Sequence, residues 1–173
     1  MRAGIISSSA FLLLFSLSGC SSKGSAEHAR PPLAVSVEPA SGEGMEAVFA
    51  VRVSEQNNNA AREVRLLVNN EMDGRHACYV YYDRRQDSFL LVNDSGDGST
   101  RLSQGVAATI ENSQCVLQGR KSTAQLSGHE LVLHFAITFK PSFLGNQAVY
   151  VYAEDAAGAR LELQPRGQWL IDQ

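Results

Sequence analysis

The sequence predicts an all-β domain, a sandwich of two antiparallel sheets, and three observations carry that prediction. Apolar residues recur at every second position through most of the chain past its first thirty or so residues, the signature of half-buried strands. Clusters of Asp, Asn, Ser and Gly punctuate those runs at short intervals. Beyond the N-terminal segment, no stretch reads as a long amphipathic helix.

Taken in order, Ala47 to Val53 alternates with Phe49, Val51 and Val53 inward, and Val64 to Asn69 does so with Val64, Leu66 and Val68. Cys78, Val80 and Tyr82 alternate with Tyr79, Tyr81 and Asp83. Strands are expected at Phe89 to Val92 and around Cys115 to Leu117. The clearest follows: Leu131, Leu133, Phe135, Ile137 and Phe139 share one face of a single run, an arrangement that a helix would scatter. Val149 to Ala153 and Trp169 to Ile171 complete the set. Asp83 to Asp87 reads as a hairpin tip, Asn93 to Ser99 as a turn, Ser127 and Gly128 as the entry to the long strand, and Asp155 to Gly158 as the last reversal. About seven to nine short strands in roughly 140 residues fit a sandwich better than a small barrel. There is no internal repeat.

The N-terminus has a different character. Arg2 precedes an apolar stretch, Ala10 to Phe15 with Leu17, that ends in Leu17, Ser18, Gly19, Cys20. It is too short to cross a bilayer, which takes roughly twenty apolar residues, so it reads as an export signal. Its tail resembles the lipobox of bacterial lipoproteins at all four positions, against the alternative of an ordinary signal peptide that ends in Cys. That resemblance implies cleavage before Cys20 and acylation of its thiol. One acyl chain anchors marginally, at roughly 0.8 kcal/mol per buried methylene, whereas two or three anchor stably. An Asp after the cysteine would resemble the inner-membrane retention signal; Ser21 stands there instead, which favours the outer membrane in a cell with two membranes. The expected organisation is a signal peptide over 1–19, a lipidated cysteine and tether over 20–33, and the sandwich domain over 34–173.

Processing removes one charge, leaving 14 basic and 18 acidic side chains and a net charge of −4, which does not suit nucleic acid. With Cys20 acylated, Cys78 and Cys115 are either a disulfide in an oxidising compartment or two buried free thiols.

Six stretches carry a further resemblance: ACYVYYDRR (77–85), LLVNDSG (90–96), ENSQC (111–115), TFKPSFLG (138–145), VYVYAEDAAG (149–158) and GQW (167–169). Together they resemble an immunoglobulin-like domain that recurs, often in multidomain chains, in secreted and surface proteins of environmental bacteria. The resemblance spans roughly Val35 to Ile171. It implies an immunoglobulin-like sandwich with Cys78 and Cys115 bridged, and it implies no activity. Unlike those modules, the domain here stands singly behind a lipid anchor.

Residues that carry chemistry elsewhere are poorly placed for it. His129 to His134 spells HELVLH, but a zinc-protease helix needs two histidines four apart, and a separation of five on a strand sends them to opposite faces. His28 and His76 stand apart in sequence. The loop Asn93 to Ser99, with Asp94 and Asp97, has the oxygen donors of a cation site but not the ligand spacing of an EF-hand, and the same residues favour tight turns. There is no nucleophile elbow or phosphate-binding glycine loop. No catalytic residue, metal ligand or cofactor is therefore assigned.

All five tyrosines fall in two strands. Tyr79 and Tyr81 share one face, and Tyr150 and Tyr152 share another. On neighbouring strands with solvated faces they would form a platform for sugars or a protein partner; the competing assignment is core packing. Trp169 is assigned to packing. The expected function is a noncatalytic, lipid-anchored module that binds an envelope protein or glycan, with sugar binding on the tyrosines as the sharper alternative.

Overall fold

The computed structural model describes residues 33–55 and 60–173. Thirteen strands form two sheets. The six-stranded sheet comprises β1 (Leu33–Glu38), β3 (Glu46–Glu55), β11 (Glu130–Phe139), β9 (Cys115–Gln118) and β8 (Thr109–Glu111) in that spatial order, with β10 (Thr123–Ser127) paired to β11 beside β9. The seven-stranded sheet runs β2 (Ser41–Glu43), β13 (Arg160–Ile171), β12 (Gly145–Asp155), β4 (Ala61–Asn69), β5 (Cys78–Asp83), β6 (Ser88–Val92) and β7 (Ser99–Ser103). Every pairing is antiparallel except β2 with β13.

The order β1, β3, β11, β9 opposite β13, β12, β4, β5 is that of an immunoglobulin-like sandwich, strands A, B, E, D facing G, F, C and the added C′ of the variable type. The sulfur bridge sits elsewhere. Cys78 on β5 joins Cys115 on β9, across the sheets but not between the second and penultimate main strands where antibody domains place theirs. Stacked sheets normally lie about 10 Å apart. A Cα separation of 5.6 Å therefore puts the bridge where the layers draw together.

The alternation read from the sequence is the alternation observed. Phe49, Val51, Val53, Val64, Leu66, Val68, Cys78 and Val80 are all fully buried, and Leu133, Phe135 and Phe139 of β11 join them in the same core. Aromatic rings meet edge-on between the layers, Phe49 with Trp169 at 5.4 Å and Phe89 with Phe135 at 5.5 Å. Trp169 also donates its indole N–H to the carbonyl of Gly44 at 2.9 Å, which satisfies the one polar atom it buries. Its ring lies so close over Gly42 that a Cβ there would approach to 2.3 Å. At Gly167 a Cβ would come within 2.1 Å of the Ala40 carbonyl, to which the neighbouring Gln168 N–H donates, so only glycine lets β2 dock on β13.

Two expectations need correction. The seven to nine strands expected become thirteen among the described residues, because none of the runs read as strands covers β1, β2, β7, β8 or β10, the last four of them short edge or near-edge strands. β7 and β8 each bury a single residue, Leu102 and Ile110, too few to leave an alternating pattern. Leu33, expected as the last tether residue, instead opens β1 in register with Glu55 and is 1 % exposed.

On the loop-entropy model a bridge closing 37 residues stabilises by about 4 kcal/mol. The double variant Cys78→Ala/Cys115→Ala should lose about that much in urea unfolding, compared with the oxidised parent. Gly167→Ala should cost about 1–3 kcal/mol by the same measurement, because the added methyl meets backbone that cannot move aside.

Candidate functional site

Strand parity sends Glu63, Arg65 and Leu67 of β4, Tyr79, Tyr81 and Asp83 of β5, and Tyr150, Tyr152 and Glu154 of β12 to the outer face of the seven-stranded sheet. The register then aligns them in three rows across the strands: Tyr150, Leu67, Tyr79; Tyr152, Arg65, Tyr81; and Glu154, Glu63, Asp83. β4 lies between the two tyrosine strands, so the tyrosine pairs are not neighbours and do not form one continuous platform. Arg65 fills the gap between them.

The guanidinium carbon of Arg65 stands 5.1 Å from the Tyr152 ring centroid and 5.6 Å from that of Tyr81, a cation held between two aromatic rings. Its Nη1 donates to the Tyr79 hydroxyl at 3.1 Å, and its Nε donates to the Glu63 carboxylate. Burial pulls the Arg65 pKa down, but the bonds with Tyr79 and Glu63 outweigh it and hold the group charged, above its ordinary value. Tyr152 donates to Glu154 Oε2 at 2.9 Å, while Arg62 donates to Oε1 of the same carboxylate at 2.8 Å. Burial, and then that carboxylate, push the Tyr152 phenol up to about 12. Tyr81 shares a hydrogen bond with Ser99 of β7 at 3.0 Å.

The four tyrosines named from the sequence thus separate. Tyr79, Tyr81 and Tyr152 are half-buried around Arg65. Tyr150 is 9 % exposed and joins Leu67 and Ala77 in a second apolar cluster on this outer face, so it offers no open ring. Residues that the sequence did not single out complete the site: Glu63, Arg65 and Glu154. The signal for Glu63 and Arg65 was the outward parity of the 63–67 run, and for Glu154 its place two residues after Tyr152, but which of them meet depends on which strands lie side by side.

The Asn93 to Ser99 loop borders this set, and between it and Tyr79 and Tyr81 lies a depression of about 260 Å³. The loop is closed on itself. Asn93 Oδ1 accepts the backbone N–H of Asp97 and of Gly98, and Asp97 Oδ1 accepts from Asn93 Nδ2 at 2.9 Å and Ser95 Oγ at 2.6 Å. Those side-chain bonds hold the Asp97 carboxyl below its usual range. Asp94 turns the other way, to the hydroxyl and backbone N–H of Ser113, which likewise lower its pKa. The two carboxylates of this loop therefore serve separate hydrogen-bond sets. Among the described residues, no three His, Cys, Asp or Glu side chains converge as metal ligands do.

His129 occupies the exposed turn before β11, not the strand itself, and His134 Nδ1 lies 3.1 Å from Thr123 Oγ1 on the outer face of the other sheet. His76 is exposed, with a left-handed φ of 49°. Cys20 and His28 lie outside the described residues.

Chemically, the site holds a guanidinium cation compensated by carboxylates, with three phenols around it. Such groups donate and accept hydrogen bonds and offer ring surface; they do not form an activated nucleophile with an oriented base. No family model matches the chain, and no curated protein is similar to it in sequence.

Because the folded pKa of Tyr152 exceeds its ordinary value of 10, the folded protein keeps a proton that the unfolded chain releases. Its contribution to stability is complete below pH 10 and falls as pH rises from 10 toward 12. Glu154→Gln removes the negative partner, so the Tyr152 midpoint should move down toward 10, read from the tyrosine Cζ chemical shift in an NMR titration.

Proposed function

We propose that this chain is a noncatalytic, lipid-anchored immunoglobulin-like module that binds a partner at the cell envelope, held to the outer membrane through acylated Cys20. The observation that carries the binding role is the Tyr152, Arg65, Tyr81 row. Tyr and Arg are the residue types that concentrate binding energy at interfaces, because each brings large area with few degrees of freedom and specific polar contacts. Here all three stand on rigid strands, and their mutual stacking orders them before any partner arrives, which lowers the entropy lost on association.

The anchor is supported from two sides. Leu17 to Cys20 matches a lipobox, and the disulfide uses the other two of the chain's three cysteines, leaving Cys20 as the remaining thiol. A disulfide that closes a long loop also suits a compartment outside the cytosol.

In cells fed a clickable palmitate analogue, the chain should label and Cys20→Ala should not. On membrane fractionation the parent should run with the outer membrane, and Ser21→Asp should move it to the inner one. For the binding role, a photoreactive residue replacing Arg101, on β7 beyond Tyr81 in the same row, should give one discrete crosslinked product in intact cells. Arg65→Ala should remove that product without changing the level of the protein.

A further inference from the structure

The depression beside the arginine row has a composition that narrows its ligand. Its polar groups are the Glu63 and Asp97 carboxylates, the Arg65 guanidinium, and the hydroxyls of Tyr79, Tyr81 and Ser99. Donors and acceptors are thus mixed around one small concavity, with phenol rings along one side. At about 260 Å³ the space suits one or two small rings, below the usual range for drug-sized ligands.

Three features discriminate among occupants. Charge comes first: two carboxylates against one guanidinium give the lining a net charge of −1, which opposes phosphate, sulfate and uronate groups. Next, the centre of a protein interface is apolar and depleted in charge. The large apolar side chains that the described residues leave exposed, such as Met72 and Leu126, do not line this depression. Finally, the Tyr79 and Tyr81 rings line one side of the space opposite hydrogen-bonding groups, so a ring with polar edges and apolar faces meets both kinds of partner at once. A neutral sugar answers all three, since it bears no charge, its hydroxyls both donate and accept, and its C–H faces lie against aromatic rings.

We infer that this depression is a binding site for a neutral glycan, in which Tyr81 offers ring surface, Arg65 and Ser99 donate to sugar oxygens, and Glu63 and Asp97 accept from sugar hydroxyls. The inference rests on the binding-module reading and names the ligand class of that same face. Tyr150, buried under its neighbours, takes no part.

The test is calorimetric titration of the full chain, purified in detergent, with oligomers of glucose, mannose and N-acetylglucosamine, beside oligogalacturonate and a sulfated oligosaccharide. At least one neutral series should bind, and the two anionic ones should not. Tyr81→Ala and Ser99→Leu should each weaken binding at least tenfold with the thermal midpoint held; Ser99 is exposed on an edge strand, so that variant fills the depression without touching the core. Tyr150→Phe should leave affinity unchanged. Absence of binding to every neutral oligomer overturns the inference, as does equal binding of the anionic ones or indifference to both blocking variants. If the oligomers fail while the crosslinked product from this face persists and is protein, the glycan inference falls and the module stands; if both assays are blank, both fall.

Discussion

Everything in this molecule depends on one layer of side chains, the apolar residues that alternate inward from both sheets and meet between them. Phe49, Trp169, Phe89 and Phe135 occupy its middle, and the edge-to-face contacts among them fix how the sheets lie on one another. Because a strand turns its side chains to opposite faces in strict succession, fixing the inward set also fixes the outward one. That Arg65 points outward is thus a consequence of where Leu66 and Val64 must go.

The disulfide adds a constraint that burial cannot supply. β5 and β9 belong to different sheets, and each sheet ends nearby in a strand with little inward apolar surface: β7, beyond the buried β6, has one buried residue, and β8, beside β9, has one. The bridge thus ties the sheets together close to their edge strands, which are the part of a β protein most open to separation and mispairing. The sulfur link thereby steadies the loops that frame the outer site. Asn112 reaches across the same region, donating to the carbonyls of Ala77 and Val92 at 2.8 and 3.0 Å while its own oxygen accepts from the backbone of Gln114 and Cys115.

The outer face of the seven-stranded sheet shows how a half-covered surface keeps charges in place. Glu63 accepts from Arg65, and Glu154 accepts from both Arg62 and Tyr152. Exposed pairs of this kind contribute little to stability singly. Their value lies in orientation, since a guanidinium stacked between rings and bonded to a phenol has few rotamers left. The adjoining cluster of Leu67, Ala77 and Tyr150 gives this face a patch of apolar burial of its own, and so anchors the row next to it.

Much of this was legible in the sequence. Period-two runs gave the inward residues of β3, β4, β5 and β11 and the place of β12, the turn residues gave the reversals, and Cys78 with Cys115 were the candidate bridge, because each of these follows from local geometry or from the pairing of few candidates. Edge strands were not legible, since a strand such as β7 that buries only Leu102 carries no alternating signal. Nor was the site. Parity puts Tyr79 with Tyr81, and Tyr150 with Tyr152, on common faces, but only the order of strands reveals that β4 runs between the two pairs and inserts Arg65, and only packing reveals that Tyr150 is covered. Sequence determines which way a side chain points, because that is a property of one strand. Which residues become neighbours belongs to the tertiary structure, because it depends on contacts between segments as distant as residues 65 and 152.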